Sequence, residues 1–129
     1  MGTLNSDRRR VLVLDEDVEV AKVITSRIVA LGYLVEHETC PAKTVRCLLD
    51  QKFDLLLSEY QMRGLDGYQV AWILRTMGSM VPVILHTAVT ADFCAHDLAL
   101  VGVLGVIPKS LKSDEFDRAF LNLSALAAN

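Results

Sequence analysis

The stretch Phe53–Gly67, FDLLLSEYQMRGLDG, decides the fold. Its first half is an apolar run that predicts a buried β-strand over Phe53–Glu59, and its second half is a turn-forming loop with two glycines. Glu59 stands where the strand runs out. Ligands of parallel α/β sheets bind beyond the carboxyl ends of the strands, so a carboxylate at this point is placed for chemistry.

The rest of the chain repeats this strand pattern four times, with a helical pattern after each strand. The other predicted strands are Val11–Leu14, Tyr33–Thr39, Val81–Leu85 and Val103–Ile107. Helical spacing of apolar residues begins after Asp17, at Pro41, after Gly67, at Ala91 and at Ser113. This alternation predicts an α/β fold in which five parallel strands are joined by right-handed crossovers and covered by helices on both faces.

The helical spacing also predicts individual environments. Leu49 in the second helix and Met77 in the third belong to predicted apolar faces, whereas Trp72 lies off such a face and is expected to be partly exposed. Ser113, which two acids follow, is predicted as the N-cap of the last helix.

Length and composition predict one compact domain. The chain has 129 residues, 52% of them hydrophobic and 22% charged, which suffices for a core without disulfides. A formal net charge of -3 is too small to predict nucleic acid or an anionic membrane as the main partner. No apolar run approaches the roughly 20 residues of a membrane span. We expect a flexible lead-in over residues 1–9 and a single domain over residues 10–129.

The cysteines carry little chemistry. Cys40, Cys47 and Cys94 are odd in number and show no CxxC spacing, so we interpret them as small buried or half-buried apolar residues. Cysteines that serve as apolar residues and not as disulfide partners are typical of reducing compartments, so we predict a cytoplasmic location.

Polar side chains gather at the ends of four predicted strands. They are Asp15, Glu16, Glu59, Thr87 and Lys109. Three converging carboxylates repel one another and need cations, which a lysine and a hard ion such as Mg²⁺ can supply. A hydroxyl, an ammonium and a divalent ion together suit a phosphoryl group. Taken singly, each residue is explained as well by helix capping or solvation, and that structural interpretation stays open.

The chain resembles the receiver domain of two-component response regulators over essentially all of residues 10–127. The matching pieces are VLVLDED, LLLSEYQMRGLDG, PVILHTA and GVLGVIPKS, in the family's order and spacing. The resemblance implies a doubly wound, flavodoxin-like (βα)5 fold with strand order 2-1-3-4-5 and a signalling role rather than an enzymatic one. In that family a histidine kinase passes a phosphoryl group to an aspartate beside bound Mg²⁺.

The resemblance also implies roles for particular residues. Asp15 and Glu16 match the acid pair that holds Mg²⁺, and the backbone carbonyl of Gln61 matches a further metal ligand. Thr87 matches the hydroxyl that closes on the phosphoryl group. Lys109 matches the lysine that pairs with that group.

Glu59 falls on the phosphoacceptor, itself a metal ligand, where the family has aspartate. Its carboxylate lies about 1.5 Å further from the backbone, and a misplacement of about 1 Å can cost a positioned reaction about a hundredfold. Val106 replaces the family's aromatic residue, Arg63 its loop proline, and Ser110 the proline after Lys109. We therefore expect a pseudo-receiver, an interaction module that works without phosphorylation and binds Mg²⁺ weakly or not at all.

Two alternatives stay open. A working receiver remains an alternative because the acid pair, Thr87 and Lys109 are present. A haloacid-dehalogenase-like phosphatase is a remote one, since Asp15-Glu16-Asp17 has the D-x-D form but Glu19 stands where Thr or Val is expected.

The expected partners are proteins. They are a histidine kinase or another signalling protein, met through the fourth helix, fifth strand and fifth helix, or a second copy of the chain. Nucleic acid and membrane are not expected to bind this domain.

Overall fold

The computed structural model describes residues 8–88 and 92–127. Its strands are β1 (Arg10–Leu14), β2 (Leu34–Glu38), β3 (Leu55–Glu59), β4 (Val83–Thr87) and β5 (Val103–Pro108). Its helices are α1 (Val18–Ala30), α2 (Pro41–Asp50), α3 (Gly67–Thr76), α4 (Ala95–Leu100) and α5 (Ser113–Ala127). The strands pair in parallel in the order β2-β1-β3-β4-β5. The predicted fold class and strand order are therefore confirmed.

Helices cover both faces of the sheet because alternate strand residues point to opposite sides. On one face, Val11 and Val13 of β1 pack in a cluster with side chains of α1 and α5, among them Ile28 and Phe120. On the other face, Leu12 and Leu14 join a cluster with side chains of α2, α3 and α4. The central strands are buried on both sides, whereas β2 lies at an edge and is largely exposed.

Some predicted boundaries were wrong. The fourth strand was predicted over Val81–Leu85 but runs over Val83–Thr87, because its pairing with β5 continues to the partners Thr87 and Pro108. The predicted start of α4 at Ala91 lies outside the described residues. The described helix begins at Ala95.

The predicted N-cap of α5 was also wrong. Ser113 is the first helical residue, and the carbonyl of Lys112 accepts the first helical hydrogen bond from the Phe116 N–H at 2.8 Å. The Glu115 carboxylate in turn accepts the Lys112 N–H at 2.9 Å. Lys112 is therefore the N-cap residue of α5. The side chain that accepts its N–H is that of Glu115, in the first turn of the helix.

Three side chains are more exposed than their sequence pattern predicted. Leu49 lies outside the buried stripe of α2, which Thr44 and Leu48 form, and Met77 caps α3 beyond its last buried turn. Cys94 is exposed, and the other two cysteines are half-buried. The prediction for Trp72 is confirmed, since 55% of that residue is exposed.

The predicted lead-in falls mainly on residues 1–7, which lie outside the described residues, as do residues 128–129. Arg9, also assigned to it, donates from its guanidinium to the carbonyl of Ser124 in α5 at 2.7 Å. Contacts with the domain therefore begin before residue 10.

Candidate functional site

The parallel register brings the predicted site residues to one end of the sheet. Leu14 of β1 lies beside Ser58 of β3, so the residues that follow, Asp15 and Glu59, are neighbours. On the other side of β3, β4 pairs with β5 as far as Thr87, and the N–H of Lys109 beyond β5 donates to the Thr87 carbonyl at 2.8 Å. We call this end of the sheet the carboxyl edge.

An ammonium group lies at the centre of the carboxyl edge. Lys109 Nζ lies 2.8 Å from Asp15 Oδ2 and 2.5 Å from Glu59 Oε1. Only 5% of Asp15 and 8% of Glu59 is exposed, so solvent screens these contacts little. The structure thus joins acids that lie 44 residues apart in sequence through one lysine from the opposite end of the chain.

The second oxygen of Glu59 is held by the backbone. Glu59 Oε2 accepts the N–H groups of Tyr60 at 2.5 Å and Gln61 at 2.9 Å. The Thr87 side chain adds a hydrogen bond to the same carboxylate. The Glu59 carboxylate therefore receives an ammonium, a hydroxyl and two peptide donors.

This surrounding fixes the charges. Burial alone would raise the pKa of Glu59. The hydrogen bonds that Lys109, Gln61 and Thr87 donate to its carboxylate have the larger effect and hold that pKa below its usual value. Burial likewise opposes the ammonium, yet the hydrogen bonds that Lys109 donates to Asp15 and Glu59 raise the pKa of Lys109 above its usual value. Glu59 and Lys109 are consequently ionised at neutral pH.

Glu16 does not join this cluster. Its Oε1 accepts the N–H of Arg63 in the loop between β3 and α3 at 3.0 Å. Asp15 also uses its other oxygen locally, since Oδ1 accepts the Asp17 N–H at 2.9 Å. The predicted acid pair is therefore divided, with one member on Lys109 and the other on a loop.

The side chains of the described residues do not gather their carboxylates around one metal position. Within residues 8–88 and 92–127, no group of three or more His, Cys, Asp or Glu side chains is placed to hold a metal. The oxygens that Mg²⁺ prefers are those of Asp15, Glu16 and Glu59 here, and each carboxylate already accepts hydrogen bonds from protein donors. The N–H of Gln61, whose backbone carbonyl was predicted as a metal ligand, donates to Glu59 Oε2.

Sequence reasoning missed two features of this end of the molecule. The backbone donors of Tyr60 and Gln61 leave no trace in residue types. Arg63, in contrast, supplies an N–H at a position where the resembled family has proline, and that difference is visible in the sequence. His86 was also missed. Its ring packs edge-on against Phe116 at 5.4 Å between centroids and lines a cavity of about 330 Å³ between α1 and α5.

Burial of the His86 imidazole, with a smaller effect of Lys109, lowers its pKa to about 4 although Glu59 acts in the opposite direction. The ring is therefore neutral at pH 7. It lies under the site as an apolar, packed group rather than as a charge.

The fold and this cluster of an acid, a hydroxyl and a lysine at strand ends are matched by one family. The family model described as response regulator receiver domain matches residues 11–120. The chain belongs to this family. Receiver domains are signalling modules, generally without catalytic activity, that interact with histidine kinases and other signalling proteins and typically bind Mg²⁺ at the phosphorylation site. The match gives no support to the phosphatase alternative.

Curated relatives are longer proteins. The chain is 24% identical over 126 residues to the transcriptional regulatory protein ZraR of Klebsiella oxytoca, covering 98% of this chain and 28% of that protein. It is 28% identical over 108 residues to the transcriptional regulatory protein GlrR of Escherichia coli K12, covering 84% of this chain and 24% of that protein. The chain thus spans about a quarter of the length of these relatives.

Solved structures share the fold. A CheY-like receiver domain protein from Methanospirillum hungatei superposes with a TM-score of 0.82 at 14% identity, over 95% of this chain and 98% of that chain. The response regulator TrrA from Thermotoga maritima, in complex with Mg²⁺ and BeF, superposes with a TM-score of 0.76 at 22% identity, over 89% and 98%. Among the described residues, no helix has the length and apolar character needed to span a membrane.

Proposed function

We propose that this receiver domain is a pseudo-receiver, an interaction module that signals without being phosphorylated. The observation that carries the proposal is the set of donors on Glu59, which are Lys109, Thr87 and the N–H groups of Tyr60 and Gln61. These are donors of the kind that a phosphoryl group needs. In this chain they are already satisfied by a carboxylate of the protein itself.

The occupied carboxylate opposes phosphoryl transfer in two ways. An acceptor oxygen must present a lone pair to the incoming phosphorus, yet Oε1 faces Lys109 Nζ at 2.5 Å and Oε2 accepts two peptide N–H groups. The transferred group must also be neutralised by Lys109, which Asp15 shares. Transfer to Glu59 would therefore have to compete with these buried contacts.

Other positions support the same proposal. The resembled family couples its threonine to an aromatic side chain, and this chain has the half-buried Val106 at that position. The hydroxyl of Thr87 bonds Glu59 directly, and Thr87 is only 1% exposed. The aromatic member of that relay is therefore absent at position 106.

The proposed partners are proteins. We assign a histidine kinase or another signalling protein to the face formed by α4, β5 and α5, with a second copy of the chain as an alternative occupant, and we assign no nucleic acid or membrane to this domain. The longer relatives are named transcriptional regulatory proteins. By that similarity we propose a regulatory role for this domain, and its free cysteines support a reducing, cytoplasmic location.

Intact mass spectrometry tests the proposal. The wild-type protein is incubated with acetyl phosphate and Mg²⁺ beside Glu59→Asp, which shortens the side chain, and Glu59→Gln, which removes the nucleophile. We expect no added phosphoryl group on wild type or Glu59→Gln, and a measurable added group on Glu59→Asp. A phosphoryl group on Glu59 of the wild type would establish the alternative, a working receiver that the retained Asp15, Thr87 and Lys109 favour.

A second measurement uses the ligand pair reported with TrrA. Addition of Mg²⁺ and beryllium fluoride should leave the amide NMR spectrum of the wild type unchanged around Glu59, because its donors are already engaged. The same addition should shift the signals of Tyr60, Gln61 and Lys109 in Glu59→Asp. Equal shifts in both proteins would contradict the proposal.

A further inference from the structure

One hydrogen bond at the carboxyl edge joins two loops that are distant in sequence. The N–H of Arg63 donates to Glu16 Oε1 at 3.0 Å across 47 positions of the chain. The donor belongs to the peptide backbone, so the bond depends on which residue supplies an N–H and not on the arginine side chain. Proline, which the resembled family usually has at this position, possesses no N–H and cannot make the bond.

The bond acts on the one acid of the pair that lacks a cation. Lys109 lies between Asp15 and Glu59, so the buried cluster holds two carboxylates against one ammonium. Among the ion pairs of the described residues, none involves Glu16. A third carboxylate in the cluster would add the negative charge that favours a divalent ion over a single ammonium. The Arg63 N–H instead holds that carboxylate on the loop.

We propose that the Arg63 peptide N–H is a latch that keeps Glu16 away from Asp15 and Glu59 and thereby lowers the affinity of this site for Mg²⁺. Arg63 is thus a positioning residue for metal exclusion, and its effect is separate from the length of Glu59. The inference does not depend on whether Glu59 accepts a phosphoryl group. It accounts for the mismatch between the described carboxylates and a metal that the family typically binds.

Matched substitutions separate the peptide N–H from the side chain. Arg63→Pro removes both the guanidinium and the N–H, whereas Arg63→Ala removes the guanidinium alone and keeps the N–H. The two variants have equal charge, so a difference between them cannot come from the loss of the guanidinium charge. Glu16→Asp tests the same bond without touching the loop backbone, because its carboxylate is about 1.5 Å shorter in reach. Glu16→Gln keeps the length and removes the charge.

Binding is measured with Mg²⁺ by calorimetry and with Mn²⁺ by water-proton relaxation, on the full chain and without any phosphodonor. An exposed hydrogen bond of ordinary strength corresponds to about a fivefold change in a binding constant. We expect Arg63→Pro to bind either ion about fivefold more tightly than Arg63→Ala, and Glu16→Asp to gain by a similar factor over the wild type. Glu16→Gln should show no gain.

Two results would overturn the inference. Equal affinities of Arg63→Pro and Arg63→Ala, in variants whose circular dichroism matches the wild type, would show that the N–H has no effect. If Arg63→Pro does not fold, Glu16→Asp decides alone, and its failure to bind more tightly than wild type overturns the latch. Phosphorylation of the wild type by acetyl phosphate would refute the pseudo-receiver but leave the difference between these variants, so the two proposals fail separately.

Discussion

The two edges of the sheet carry the same kind of ion cluster in different surroundings. At the carboxyl edge, Lys109 pairs with Asp15 and Glu59, and the three side chains are 21%, 7% and 10% exposed. At the opposite, amino edge, Arg10 of β1 pairs with Glu36 of β2 at 2.9 Å, and those side chains are 35% and 56% exposed. Each group of charges is organised by one cation, and the two groups differ both in the number of carboxylates and in their exposure to solvent.

Solvent decides what each cluster contributes. An exposed ion pair typically contributes about 0–1 kcal/mol to stability. Removal of one partner from a buried pair costs about 3–5 kcal/mol, because a charge is left without compensation. The carboxyl edge of this receiver domain therefore combines its proposed signalling residues with a large part of its polar stability, whereas the amino edge can change at little cost.

The largest effect is expected from Lys109→Met. The substitution keeps an apolar stem of similar length and leaves the carboxyl groups of Asp15 and Glu59 buried without a cation. We expect a loss of about 3 kcal/mol in the free energy of unfolding at pH 7, measured by urea denaturation. Addition of Glu59→Gln to this variant removes one of the two charges and should recover part of the loss. A loss below about 1 kcal/mol would make the two edges equivalent and contradict the comparison.

The next effect is a loss of stability in mild acid that His86 causes. The pKa of His86 is lowered from 6.5 to about 4 in the folded chain. Between these values the unfolded chain binds more protons, so the stabilisation is complete above pH 6.5 and is lost as the pH falls towards 4. The free energy of unfolding should decrease by about 2 kcal/mol between about pH 7 and pH 5.

His86→Val is the control for that pH dependence. The valine has no proton to bind, so its unfolding free energy should vary little over the same interval, whatever stability is lost with the Phe116 contact. Glu59 does not confuse the measurement, because its pKa lies below the usual 4.5 and its stabilisation is lost only at lower pH. If wild type and variant show parallel pH curves, the imidazole is not the group responsible.

The sequence predicted the fold well because its signals are local. Strands such as Val11–Leu14 and Phe53–Glu59 are apolar runs whose ends are marked by acids, and burial on both faces follows from that pattern. The fourth strand was misplaced because His86 and Thr87 look like a loop, yet both belong to the ladder. The order 2-1-3-4-5 came from the resemblance, since alternation alone permits several orders.

The site was predicted as a set of residue types but not as a set of contacts. Asp15, Glu59 and Lys109 were expected to meet, and the structure brings them together. That Glu16 turns to the Arg63 N–H depends on the path of two loops in space, which no periodicity reports. The same is true of exposure, which separates the two edges and which residue types alone do not report.

The smallest effect is expected at the amino edge, from Arg10→Met. The arginine donates to the Lys52 carbonyl at 2.8 Å and lies over the Phe53 ring at 4.3 Å, in addition to its pair with Glu36. Methionine keeps the stem over the ring and loses the charge, so the unfolding free energy should fall by less than about 1 kcal/mol.

Added salt should bring variant and wild type closer together, because it screens the exposed pair. The hydrogen bond from the Arg10 backbone N–H to Asp54 Oδ2 at 2.7 Å does not involve the arginine side chain, so the variant is a fair measure of that side chain. A loss as large as that of Lys109→Met would mean that exposure does not set the contribution of these clusters.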